Sequence, residues 1–138
     1  MDDFLEGGRR VLASQPFSVL IGASLSAFSE GIAEIEIPVT GGLKQQYGYV
    51  HGGVLSYAAD NALTFAAGSL LGANVITSEF KINYLRPANG EKLVARASVI
   101  HAGRRQAVCR CDVYTVAGSD ETLCACAQGT ILRLLPEG

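Results

Sequence analysis

The sequence predicts an α+β domain in which one antiparallel β-sheet wraps around one long central α-helix. Three observations carry this. The segment Val54–Leu71 is rich in Ala and Leu and lacks Pro, so it reads as a helix. Stepped at 100° per residue, its Leu55, Ala58, Ala59, Ala62, Leu63, Ala66 and Leu70 cover much of the circumference, the mark of a buried helix. The β-rich runs around it are separated by short turns, which favours antiparallel hairpins. The length of 138 residues makes one domain. With a single long helix available, the sheet can bury its apolar face only by curving around it.

The elements follow in order. Asp3–Ser14 is expected to be a short helix, weakened by Gly7 and Gly8 and ended before Pro16. Strand character is expected from near Leu20 and again over Ile32–Val39. There Ala33, Ile35, Ile37 and Val39 alternate with Glu34, Glu36 and Pro38, one face dry and one wet. Thr40-Gly41-Gly42 opens a loop carrying Gln45, Gln46, Tyr47 and Gly48. After the long helix, Gly72 stands where a terminating glycine belongs. Four β-rich runs close the chain: Val75–Leu85, Lys92–His101, Gln106–Val116 and Thr122–Leu135. A two-residue turn at Gly118-Ser119 would set Cys111 opposite Cys126.

Composition narrows the function classes. Hydrophobic residues are 49% of the chain and charged residues only 17%, too apolar for disorder and consistent with surface hidden in an oligomer. The formal net charge is −2 and no basic stripe interrupts it, so nucleic acid is not an expected partner. The stretch Asn61–Ser78 lacks charge but holds Asn61, Thr64, Ser69, Asn74 and two glycines, so no membrane span is expected. The acidic start Met1-Asp2-Asp3 is unlike a secretory leader, and a cytoplasmic location is the expectation. Cys109/Cys111 and Cys124/Cys126 form C-x-C pairs, expected on one strand face each. They read as reduced core thiols, because zinc knuckles use wider spacing. No metal is expected, and no glycine-rich phosphate loop is present.

Two local anomalies carry the chemistry. Asp60 is the only charged residue between His51 and Glu79, and no Lys or Arg lies between Lys44 and Lys81. Ser56, Asp60 and Thr64 form one polar stripe on an otherwise apolar helix. Either that stripe faces solvent, or Asp60 sits at a cleft as a base or nucleophile, since burying an unpaired carboxylate is costly. The second anomaly is His51-Gly52-Gly53 at the helix start. Free N–H groups there, approached closely because glycine has no side chain, suit an oxyanion on an attacked carbonyl. A plain turn is the bland alternative.

The stretch Gln45…His51-Gly52-Gly53-Val54…Asp60-Asn61-Ala62 resembles the signature of the hotdog-fold acyl-CoA thioesterases, closest to the phenylacetate-degradation-type branch that also holds hydroxybenzoyl-CoA-type enzymes. Phe80-Lys81-Ile82-Asn83-Tyr84-Leu85-Arg86-Pro87-Ala88, Gly90 and Gly103-Arg104 fit the same pattern. The resemblance implies the hotdog fold and hydrolysis of acyl-CoA thioesters, aromatic or medium-chain, without metal or organic cofactor. It implies Asp60 as the catalytic acid, Gly52 as the oxyanion donor and Gln45 as a polar loop residue reaching substrate or water. It further implies Thr64 and Ser78 as hydroxyls near the acid, and His51 as a loop holder or a direct participant. It also implies a dimer or a tetramer of two dimers, with Gly52 and Asp60 of one site drawn from different subunits. Gly53 adds to the ligand-approach surface. Arg86, Arg104 and Arg105 are either phosphate-binding cations for coenzyme A or ordinary turn residues.

Two other functions share this fold. A non-catalytic acyl-CoA sensor is one, although nothing in the sequence resembles a DNA-binding segment. An enoyl-thioester hydratase is the other, although such enzymes pair a histidine with an acid, whereas here Asp60 follows His51 by nine residues.

Overall fold

The computed structural model describes residues 2–135. Its elements are α1 (Asp2–Ala13), α2 (Pro16–Ile21), β1 (Ser24–Ser29), β2 (Ile32–Pro38), a 3-10 turn (Gly41–Leu43), α3 (Gly52–Leu71), β3 (Val75–Tyr84), β4 (Lys92–Ala102), β5 (Gln106–Ala117) and β6 (Asp120–Arg133). The six strands form one antiparallel sheet in the order β1-β2-β4-β5-β6-β3, and α3 packs against all six. The helix buries Leu55, Ala58, Ala59, Ala62, Leu63 and Ala66 against inward residues such as Ile35, Ile37, Leu93, Val113 and Ile131. No helix among the described residues is long and apolar enough to cross a membrane.

The expected strand at Leu20 is a correction: Leu20 lies in α2. Pro16 ends nothing here. It occupies the first turn of α2, where its fixed φ is already helical and its missing N–H has no partner to lose. Gly22, at φ 78°, then stops the helix, with Ala23 N–H donating to Ser18 O at 3.0 Å.

On β2, Ala33, Ile35 and Ile37 are buried, as the alternation predicts. The intervening glutamates meet cations of β4 on the outer face: Lys92 Nζ lies 2.9 Å from Glu36, and Arg96 Nε 2.7 Å from Glu34. Glycines Gly7 and Gly8, unfavourable for helix on propensity alone, have a packing reason at Gly8. A Cβ there would lie 2.5 Å from Phe28 Cδ2, so only glycine lets α1 close over the edge strand β1.

Two β-bulges change faces that strict alternation assigns. In β3 the register slips between Thr77 and Glu79, so inward positions pass from Val75 and Thr77 to Phe80 and Ile82. In β6 the slip falls opposite Val113/Tyr114 and leaves Cys124 as the extra residue. Ala117 and Asp120 do flank a two-residue turn, yet beyond the bulge Cys111 faces Ala127 and Cys126 faces Asp112. The expected Cys111–Cys126 pairing is therefore corrected by one residue. Cys124 is buried and Cys126 half-buried on the opposite side of the strand, so this C-x-C pair does not share a face.

Candidate active site

The start of α3 accounts for its free amides one by one. His51 caps the helix: its Nδ1 accepts from Gly53 N–H at 2.9 Å, and its carbonyl accepts from Val54 N–H at 2.9 Å. The Gly53 amide is therefore engaged within the loop. A Cβ at Gly53 would stand 3.1 Å from His51 Nδ1, which is why glycine sits there. Gly52 N–H has no acceptor among the described residues. It opens onto a cleft of about 440 Å³ shared with Gln45, Tyr49, Tyr84 and Arg86.

Both walls of that cleft are tied down. Gln45 Oε1 accepts from the N–H groups of Tyr47 (2.5 Å) and Tyr49 (3.3 Å), so the side-chain oxygen builds the loop and the amide NH₂ remains as a donor. His51 N–H donates to Leu43 O at 2.8 Å, and Val50 N–H to Ala88 O at 2.9 Å. Opposite, the Tyr84 hydroxyl lies 3.2 Å from Gly52 O and 2.5 Å from Ser56 Oγ. Its ring would meet a Cβ on Gly52 at 3.4 Å. The sequence offers Tyr84 only as a member of the stretch that carries the resemblance; the bulge upstream turns it toward the helix.

With its Nδ1 an acceptor, His51 caps α3. His51→Ala is expected to lower stability by about 1 kcal/mol, the usual effect of a lost cap, measured by urea unfolding. His51→Asn, itself a good capping residue, is expected to recover most of it.

Asp60 lies about two turns and about 12 Å farther along α3. It is half-buried, and no ion pair among the described residues includes it. Thr77 Oγ1 donates to Asp60 Oδ1 at 2.7 Å. Thr64 Oγ1 donates to the Asp60 backbone carbonyl at 2.7 Å and lies 3.2 Å from the Thr77 hydroxyl. The hydroxyl on the carboxylate is thus that of Thr77, not Ser78. Ser78 is exposed in the β3 bulge, which shifts the side-chain parity at this point. Next to the acid, Asn61 Nδ2 donates to Gln15 Oε1 (3.0 Å) and the Tyr57 hydroxyl (2.9 Å), fastening α3 to the α1–α2 junction. Nothing in the sequence marks Thr77 or this bracing.

The three arginines do not converge within one chain. Arg86 borders the Gly52 cleft, with its N–H donating to Cys124 O at 3.4 Å. Arg104 and Arg105 sit in the β4–β5 turn, where Arg105 O accepts from Arg133 N–H at 2.7 Å. Cys124 and Arg133 stand near opposite ends of β6, about 30 Å apart by strand rise. Burial pushes the thiols of Cys109 and Cys124 up to about 11, and that of Cys111 further still. Among the described residues no three His, Cys, Asp or Glu side chains cluster as a metal site.

A six-stranded antiparallel sheet rolled around a single buried helix is the hotdog fold. Comparison with known proteins specifies the family. Residues 47–122 match the sequence model of the Thioesterase superfamily. A thioesterase family protein from Silicibacter pomeroyi superposes with a TM-score of 0.91 at 33% identity, over 96% of this chain and 99% of that one. The acyl-coenzyme A thioesterase PaaI of Escherichia coli is 33% identical over 89 residues, 64% of this chain and 63% of its own. The proofreading thioesterase EntH of Klebsiella pneumoniae is 29% identical over 113 residues, 80% of each chain. The chain belongs to the thioesterase superfamily and is a thioester hydrolase of the hotdog type.

Proposed function

We propose that the chain hydrolyses acyl-CoA thioesters to a free acid and coenzyme A at sites built by two protomers. The observation that carries this reading is the half-buried Asp60 carboxylate, held by Thr77 and with no ion-pair partner among the described residues. A lone carboxylate on an otherwise apolar helix is a candidate base or nucleophile. The likeness to a relative named an acyl-coenzyme A thioesterase supports the substrate class.

In this mechanism the thioester carbonyl oxygen points at Gly52 N–H. The α3 dipole and that amide stabilise the negative charge that develops there. Asp60 removes a proton from water, whose oxygen adds to the carbonyl carbon, or attacks the carbon itself to form a mixed anhydride that water then opens. In both routes the C–S bond breaks and its electron pair leaves on sulfur. A thiol with pKa near ~8.5, by analogy with cysteine, is a good enough leaving group that no strong general acid is needed. The Gln45 NH₂ orients the carbonyl or the water. Arg86, beside the Gly52 cleft, contacts a CoA phosphate.

Because Gly52 and Asp60 lie about 12 Å apart on one helix, each site takes Asp60 from one protomer and the partner subunit's Gly52. The free edge of β3 supports this assembly. Two β3 strands pairing antiparallel around Phe80 and Lys81 would bring Thr77, and the acid it holds, toward the partner's Tyr84, which covers its own Gly52.

The test is thiol release from benzoyl-, hydroxyphenylacetyl- and medium-chain acyl-CoAs. Hydrolysis of at least one group is expected. Tight binding with no thiol release would make the chain a sensor, and hydration of crotonyl-CoA would make it a hydratase.

A further inference from the structure

Gly52 carries the free amide, but a glycine followed by a second glycine is the least restrained way to begin a helix. A donor stabilises developing charge well only when its direction is set beforehand. His51 fixes the backbone after Gly52, through Gly53 N–H. Gly52 itself is held by Tyr84. The three atoms nearest to a Cβ built on Gly52 all belong to that side chain, at 3.4, 3.4 and 3.5 Å. The Tyr84 hydroxyl donates to Gly52 O at 3.2 Å. A carbonyl only accepts, so the phenol proton is committed there, and the Ser56 hydroxyl, 2.5 Å away, donates to the phenol oxygen. The phenol is in turn anchored from the sheet. Tyr84 ends β3 opposite Ala125 of β6, and the next two N–H groups, of Leu85 and Arg86, both donate to Cys124 O at 2.9 and 3.4 Å. Cys124 is the buried residue that the β6 bulge inserts. The bulge thus sets the end of β3, the end of β3 sets the phenol, and the phenol sets the first residue of α3.

We infer that Tyr84 is a positioning residue for the oxyanion donor: with its hydroxyl rotor fixed by Ser56, the phenol restrains Gly52 so that the N–H keeps one direction in the cleft. The inference rests on the acyl-CoA reading above and adds two side chains to it. The phenol acts through Gly52 and not by proton transfer, because its proton is engaged by Gly52 O and its oxygen by Ser56. Support from a strand suits the task, since groups on regular elements are held more precisely than groups on loops. Losing an oxyanion donor costs ~10²–10³ in rate. Leaving the donor in place but free to swing costs part of that. The loss falls on kcat, because the contact that weakens is one made to the transition state, and substrate binding is nearly untouched.

The experiment measures kcat and KM by thiol release on the best acyl-CoA substrate, as a function of pH, in the wild type, Tyr84→Phe, Ser56→Ala, their double variant, Gly52→Pro and Gly52→Pro/Tyr84→Phe. Tyr84→Phe keeps the ring and removes one hydroxyl from a side chain 53% exposed, so the fold persists, as circular dichroism checks. It is expected to lower kcat at least about fivefold, with KM within about twofold and the shape of the pH profile unchanged. In the Gly52→Pro background no N–H is left to aim, and Tyr84→Phe is expected to change kcat less than about twofold. Ser56→Ala is expected to lower kcat about threefold and to add less than about twofold to Tyr84→Phe, because Ser56 acts only through the phenol. This second cycle decides if Gly52→Pro turns over too slowly to measure. An unchanged kcat in Tyr84→Phe overturns the inference and leaves the acyl-CoA reading standing. So do full, additive losses in both cycles, or a pH limb that disappears with the phenol. A wild type that cleaves no CoA thioester overturns the acyl-CoA reading and the role of Tyr84 with it.

Discussion

Asp60→Asn is expected to lower turnover on the best acyl-CoA substrate by at least about a hundredfold, the range for losing a general base. The substitution is nearly isosteric, and the Asn oxygen can still accept from Thr77, so the thermal midpoint is expected to move little. The variant removes only the charge and basicity that the proposed mechanism uses to activate water or attack the carbonyl. The measurement is kcat by thiol release, with circular dichroism for the fold. Near wild-type rates across an acyl-CoA panel would remove Asp60 from the mechanism.

Gly52→Pro tests the other half of the site and is expected to cost about 10²–10³ in kcat, as for loss of one oxyanion donor. Proline is well suited to the first turn of a helix, and His51, with ψ 137°, already has the extended backbone that a following proline requires. The substitution therefore deletes one N–H while the helix start persists; helical content by circular dichroism checks that. Co-assembly sharpens the result. Asp60→Asn and Gly52→Pro chains are each expected to be nearly inactive alone. Mixed dimers are expected to recover activity, because each contains one site with an intact acid facing an intact amide. Absence of recovery in verified mixed dimers would place both groups of a site on the same chain.

The long helix, the four strands after it and the dry face of β2 are legible in the sequence because each rests on local composition or a local period of hydrophobic residues. Asp60 and Gly52 are legible for the opposite reason, as local exceptions: a charge inside an apolar helix, and a glycine pair at its start. What escapes is set by one inserted residue at a time. The β3 bulge decides that Thr77 rather than Ser78 meets the acid and that Tyr84 turns toward Gly52. The β6 bulge moves Cys126 off the expected register. An extra residue in a ladder leaves no compositional trace, since it depends on the partner strand and on what must fit beneath. Gly129 is an example: a Cβ there would lie 2.9 Å from Glu79 O and 3.2 Å from Leu63 Cδ1. The α1–α2 region is misread because a proline can mark a helix end or a helix start, and Pro16 marks only the start of α2.

The sulfur chemistry of the core has a bearing on working life. A thioester hydrolase liberates a thiol at every turnover, and oxidised forms of such products exchange with any accessible thiolate. Cys109, Cys111 and Cys124 face the packed interior, where desolvation keeps sulfur protonated and unreactive. The folded enzyme thus keeps these side chains from being capped by its own leaving group, and they become vulnerable only when the sheet opens.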